Sequence, residues 1–232
     1  MRSVDLIDSL AADLKRVVPL PPPPRRLAFW LFASLLYIGA IVLAAGPRLD
    51  LFEKAQEPRF LVEVSAAIAT GVLSAVAAFH SISPGRSVWY SIAPLPALAV
   101  WLGSLGQGCW HAWLVAGSEG LTLAPDMFCF PAIVAASVVP TVLIVAMMRR
   151  GSSVMPALTM ALAVLAATSL GAAALRLFHV QDASVMLLVW QFGTVALLTS
   201  AAAIFGDPLL PRLEARAAAI RSGLSGHRHT DL

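Results

Sequence analysis

The sequence predicts an all-α integral membrane bundle of six transmembrane helices, preceded by a short N-terminal cytoplasmic amphipathic helix. Three observations carry that prediction. Of 232 residues, 59% are apolar and 12% charged, against about 25% charged in a soluble globular domain, and the mean hydropathy is +0.81. Six apolar stretches can be read at 27–45, 60–82, 88–106, 127–148, 156–177 and 184–205, each near the roughly 20 residues needed to cross a hydrocarbon core about 30 Å thick. Lys and Arg also fall unevenly on alternate sides of those stretches. What remains outside the spans is too short for a second folded domain, so the chain divides into a head (1–26), a transmembrane domain (27–205) and a basic tail (206–232).

The head comes first. At 100° per residue, Leu6, Ile7, Leu10, Leu14, Val17 and Val18 share an arc of about 120°, while Asp5, Asp8, Ser9, Asp13, Lys15 and Arg16 take the rest. Val4 is the one apolar residue outside the arc. Ser3 is placed to cap the helix, and Asp5 and Asp8 lie near its positive end. Pro19 and Pro21 to Pro24 end it and extend the chain as polyproline II. So short a helix is marginal alone in water, and its apolar face needs a destination. A lipid surface favours basic residues and an aromatic anchor. Three Asp against two basic residues and no aromatic favour a groove on a protein partner instead.

The spans are rich in Ala and Leu. Small residues recur four apart in Ala67, Gly71 and Ala75 and in Ala163, Ala167 and Gly171. Either Ala-rich composition or a packing seam produces that spacing. Pro94 and Pro96 in the third span, and Pro131 and Pro140 in the fourth, imply kinks. The first span reads as an uncleaved anchor, because its apolar run exceeds the 7–15 residues of a signal peptide. Glu63 is the only acidic residue inside a span and is therefore a functional candidate. Arg59, four residues earlier, offers it an ion pair, a reading favoured over proton relay. Arg176 and Asp182 are matched in the same way. In the tail, Leu213, Ala217, Ile220 and Leu224 share a face near Arg212, Arg216 and Arg221, which suits an anionic leaflet.

Arg2, Lys15, Arg16, Arg25, Arg26, Arg86, Arg149, Arg150, Arg212, Arg216, Arg221 and Arg228 fall on one side, twelve cations against four on the other: Arg48, Lys54, Arg59 and Arg176. The positive-inside rule then puts both termini in the cytoplasm.

In order along the chain, DLIDSLAADL (5–14), the proline arm, EPRFLVEVSAAIATGVLSAVAAF (57–79), SPGRS (83–87), WLGSLGQGCW (101–110) and ALRLFHVQDASVMLLVWQFG (174–193) resemble the NrsF family. The resemblance covers almost the whole chain. It implies a six-span bacterial inner-membrane anti-sigma factor. Such a protein holds an extracytoplasmic-function sigma factor through its N-terminal helix and releases it on an outer-face signal. By that resemblance, Asp5, Leu6, Ile7, Leu10, Asp13 and Leu14 are the partner-binding residues, while Asp8 belongs to the solvated face.

The two cysteines, Cys109 and Cys129, flank the loop between spans three and four on the outer side, an oxidising compartment in a bacterium. A permanent disulfide, two core thiols, or a redox or metal switch all remain open. The resemblance implies cysteines that answer metal or oxidative stress in some members. His111 and His179 share that side and offer imidazole ligands beside the thiols, without any CxxC pair. For His179, hydrogen bonding at helix ends is the favoured reading. Trp110 and Trp113 read as interface anchors.

Rival classes are a small transporter or channel and a membrane thiol oxidoreductase. The first lacks Asp, Glu, Lys and Arg in spans one, three, four and six, and the second lacks a CxxC pair. No nucleophile, base and orienter can be grouped from the sequence, so no enzyme and no cofactor are expected. The lipid bilayer is a partner, whereas direct nucleic-acid binding is not expected, because the +3 charge follows from membrane orientation.

Overall fold

The computed structural model describes residues 21–82, 89–149, 153, 155–180, 182–208 and 212. The head helix, with Asp5, Leu6, Ile7, Leu10, Asp13 and Leu14, and the amphipathic tail beyond Arg212 lie outside the described residues. Those described are helical, with no strand among them. Six helices are long and apolar enough to cross a membrane. They are α1 (Pro23–Ala45), α2 (Pro58–Ser81), α3 (Leu95–Ala116), α4 (Cys129–Met148), α5 (Pro156–Phe178) and α6 (Ser184–Pro208).

The helix ends correct the sequence reading where local chemistry differs from hydropathy. Pro23 and Pro24 do not prolong the proline arm but open α1, after Pro22 in extended backbone at φ −59° and ψ 148°. A first-turn proline loses no bond, since its missing N–H has no acceptor there. Pro94 and Pro96 likewise sit at the start of α3 rather than kinking its middle. That helix outruns its apolar stretch by ten residues, carrying Cys109, Trp110, His111 and Trp113 inside it, and stops at Gly117, which takes φ 60°. Pro131 lies in the first turn of α4, so only Pro140 is interior, where the Trp30 indole donates to its carbonyl at 2.9 Å.

α5 is the central helix. In its most apolar stretch 83% of residues are buried, against 17% in α1 and 22% in α6, and it packs chiefly on α2 and α4. The small-residue spacing is a seam. A Cβ on Gly71 would stand 3.0 Å from the Ala166 carbonyl oxygen and 3.1 Å from Leu170, a tight contact that α5 would have to yield to by a few tenths of an ångström. Ala67, Ala75, Ala163 and Ala167 are buried along the same packing. Gly171 faces the other way, toward Ile133 and Ser137 of α4. One apolar cluster includes Trp30, Phe79, Ile144, Met148 and Leu162, and a second includes Trp101, Leu105, Ala172, Leu187 and Val195. Thr70 and Thr168 satisfy their hydroxyls on the carbonyls of Ala66 and Val164 one turn back. Phe29, Phe32, Leu36 and Leu43 of α1 stay exposed, as lipid-facing side chains would.

α6 begins irregularly. Leu187–Phe192 is a π-helical turn, and within it the Gln191 carboxamide donates to the Ala172 carbonyl of α5 at 2.6 Å. Such turns insert a residue into the helical ladder and often accompany function.

Candidate functional site

The chain enters and leaves the bundle at one end, here called proximal. The α1–α2, α3–α4 and α5–α6 connections gather at the other, the distal end. All four cations of the sparse side meet there in one network. Arg48 has no exposed side-chain surface and makes two bidentate pairs, with Asp50 at 2.7 Å through both Nε and Nη2, and with Asp182 at 3.1 and 2.9 Å. Its backbone N–H donates to the Leu177 carbonyl at 3.0 Å, tying the connection to the end of α5. Lys54 bridges Glu57 at 2.9 Å and Asp182 at 3.2 Å. Arg176 reaches Asp182 at 3.2 Å and Glu63 at 3.3 Å, with its guanidinium 5.0 Å over the Phe60 ring. Arg59 completes the set on Glu63 at 2.9 Å and on the Ser184 hydroxyl of α6.

Each cation therefore has a carboxylate, which keeps charge out of the low-dielectric interior unpaired nowhere along the network. The loop groups respond accordingly. Hydrogen bonds from Arg48, opposed by burial and joined by those from Lys54, hold the Asp182 carboxyl well below the usual carboxylate range. Arg48 also lowers Asp50, and the bonds to Asp50 and Asp182 raise Arg48. The Glu57 bond raises Lys54. Beside the network lies a cleft of about 190 Å³ lined by Lys54, Glu57, Arg59, Phe60, Glu63, Arg176 and Asp182.

Glu63 has the Arg59 pair expected of it and a second partner, Arg176, 113 positions away. The expected pair of Arg176 with Asp182 is present too. Gly108 gives the network its passage through α3, because a Cβ there would overlap the Arg59 guanidinium and the Ser184 hydroxyl.

Cys109 follows Gly108 and is half-buried, while Cys129 is buried at the start of α4; both are free thiols. Cys129 lies with Asp126 and His179, and the three ligand atoms fall within 4.8 Å of one another. Neither Cys109 nor His111 belongs to that group. His179 Nε2 is 2.9 Å from Asp126 Oδ2, so this histidine does hydrogen-bond at a helix end. The other oxygen, Oδ1, accepts the backbone N–H groups of Phe128 at 3.1 Å and Cys129 at 3.3 Å. Burial pushes the Asp126 carboxyl up, but the bond to His179 and its charge, with smaller contributions from the Phe128 amide and the Cys129 side chain, outweigh it and leave the group below its ordinary value. Asp126 is the residue that sequence reasoning missed. An Asp three positions before a span-opening Cys, able to accept first-turn amides, was the available signal. Trp110 and Trp113 are 61% and 46% exposed, and their rings lie 5.2 Å apart.

Six spanning-length helices with a neutralised charge network at one end define a multi-span membrane protein. Residues 10–211 match the family described as negative regulator of sigma F, NrsF, and the chain belongs to that family. Its class is thus that of a negative regulator acting on a sigma factor, not a family of enzymes. No curated protein and no solved structure matches the chain.

Proposed function

We propose that this protein is an inner-membrane anti-sigma factor that captures an extracytoplasmic-function sigma factor on its cytoplasmic N-terminal helix and releases it on a redox or metal signal received at the distal end. Membership of the negative-regulator family over residues 10–211 carries the reading. The cation asymmetry supports it by directing both termini to the cytoplasm, where a sigma factor is found. Leu6, Ile7, Leu10 and Leu14 fill a groove on the partner, and Asp5 and Asp13 make polar contacts at its rim. The bilayer holds the complex away from RNA polymerase, and nucleic acid takes no part. The basic tail lies against the anionic leaflet. Cys109 and Cys129 serve as the redox or sensing residues, on the far side from the captured factor. Capture is an equilibrium, so a signal that weakens it by about 1.4 kcal/mol raises the dissociation constant tenfold.

The test is a pull-down from native membranes, comparing the full chain with one lacking residues 1–24 and identifying retained proteins by mass spectrometry. A sigma factor retained only by the full chain supports the reading. Identical partners on both forms overturn it and restore the transporter and thiol oxidoreductase classes. As a finer probe, Leu10→Asp with Leu14→Asp abolishes capture while membrane insertion persists; capture that survives both changes removes the helical contact.

A further inference from the structure

We propose that Asp126, Cys129 and His179 form a binding site for one borderline divalent cation of the zinc class, with a fourth position open to water. The three residues contribute one carboxylate oxygen, one sulfur and one imidazole nitrogen, all within 4.8 Å of one another. Sulfur and nitrogen together select zinc-like ions over magnesium or calcium, and three protein ligands with one open position are a recurrent zinc arrangement. Metal–ligand bonds of about 2.0–2.3 Å set tetrahedral ligand atoms roughly 3.3–3.7 Å apart, so closing the site asks for movement of about 1 Å. His179 Nε2 and Asp126 Oδ2 stand 2.9 Å apart and separate by roughly 0.4 Å as the ion enters between them.

The surroundings are those of a prepared site. Asp126 Oδ1 is engaged by the amides of Phe128 and Cys129, which fixes the carboxylate and turns Oδ2 toward His179. The His179 ring lies against Phe128 with centroids 5.2 Å apart. Cys129 is buried, but the Asp126 and His179 side chains keep 10% and 23% of their surface exposed, which leaves an entry path. One thiolate and one carboxylate cancel the charge of a divalent ion, so the loaded site is neutral at the edge of an apolar bundle. The ion replaces the Cys129 thiol proton and the hydrogen between His179 and Asp126. With neutral His179, the ring keeps its proton on Nδ1 and one proton leaves to solvent per ion; with the imidazolium, two leave. The ion ties the start of α4 to the connection after α5.

This proposal deepens the signal part of the function proposed above but concerns binding alone. Full-length protein in detergent micelles is stripped with a chelator and titrated with Co2+ and then Zn2+. We expect one Co2+ per chain with a thiolate-to-cobalt charge-transfer band that one equivalent of Zn2+ bleaches. Cys129→Ser removes the band, Cys109→Ser leaves it, and Asp126→Asn and His179→Gln each weaken affinity about tenfold or more. A native chain without the band, a band that persists in Cys129→Ser, or one lost in Cys109→Ser overturns the site. Should Cys129→Ser fail to fold, the partly exposed His179→Gln decides, and unchanged affinity there is equally fatal. Sigma-factor capture measured on the same samples separates the two readings: capture without cation binding sinks the site and spares the anti-sigma function.

Discussion

At the proximal end Arg26 donates to the Phe79 carbonyl at 3.3 Å and lies 5.2 Å over its ring, Asp207 accepts the Ala157 amide at 3.0 Å, and Thr159 shares hydrogen bonds with Ser81 at 2.8 Å and Ser153 at 2.7 Å. At the distal end Arg48, Lys54, Arg59 and Arg176 instead share Asp50, Glu57, Glu63 and Asp182 across two connections and the helices α2 and α5. The proximal bonds mostly satisfy helix termini: Arg26 meets the carbonyl end of α2 and Asp207 the amide end of α5, each where the helix dipole favours its charge. They join a few groups each and rest on no shared carboxylate. Two distal carboxylates serve several cations at once, Glu63 holding Arg59 and Arg176 and Asp182 holding Arg48, Lys54 and Arg176, so losing either one weakens compensation at several cations together. The difference teaches that the two ends should fail differently, the proximal end by increments and the distal end as a unit.

The largest test of that contrast is Glu63→Ala against Arg26→Gln. Removing Glu63 takes one of two carboxylates from the buried Arg176 and the carboxylate partner from Arg59, and is expected to cost about 3–5 kcal/mol, whereas losing the Arg26 hydrogen bond should cost about 1.5–3 kcal/mol. Thermal unfolding in detergent reads both, and equal losses would erase the distinction. Next in size is a pair of glycine substitutions in α3. Gly108→Ala drives a methyl into the Arg59 guanidinium and should destabilise by about 1–3 kcal/mol, while Gly106, which has open space around its α-carbon, should gain roughly 0.5–1 kcal/mol as Ala from helix propensity. Opposite signs only two positions apart would show that the network, not α3 itself, sets the requirement for glycine.

The smallest effect is that of pH. Because the folded Asp182 carboxyl is depressed, its contribution is complete above the unfolded carboxyl value of about 4 and disappears as pH falls below that toward the folded value. Acidifying from pH 7 to 5 should therefore leave the gap in Tm between the native chain and Asp182→Asn unchanged, with the gap closing only below about pH 4. A gap that closes between pH 7 and 5 would mean the carboxylate is not held by Arg48 and Lys54.

How far such features could be read in advance depends on the distance along the chain between the partners. Arg59 and Glu63 were legible as a pair because four residues are one helical turn, and Arg176 with Asp182 because both lie near one helix end. The seam of Gly71 was visible as spacing but became a seam only when Ala166 and Leu170 were found against it. Arg48 with Asp182 spans 134 positions, and His179 with Asp126 spans 53; no local pattern joins either. The cysteines, which the sequence places on either side of one loop, share no common group of donor atoms among the described residues, since Cys129 has Asp126 and His179 instead.

Sequence alone determined the six apolar helices, their approximate limits, the alternation of charge across them and the membership in a family of sigma-factor regulators. The first three are properties of short windows and of composition, which hydrophobic transfer and backbone chemistry decide residue by residue, while the membership rests on the order of residues over 10–211. Tertiary structure decided which helix lies at the centre, that the four sparse-side cations converge on four carboxylates, that Gly108 lets Arg59 through, and that Asp126 joins Cys129 and His179. Each depends on bringing distant segments to one end of the bundle, where burial leaves a charge or a donor no choice but the partner that packing provides.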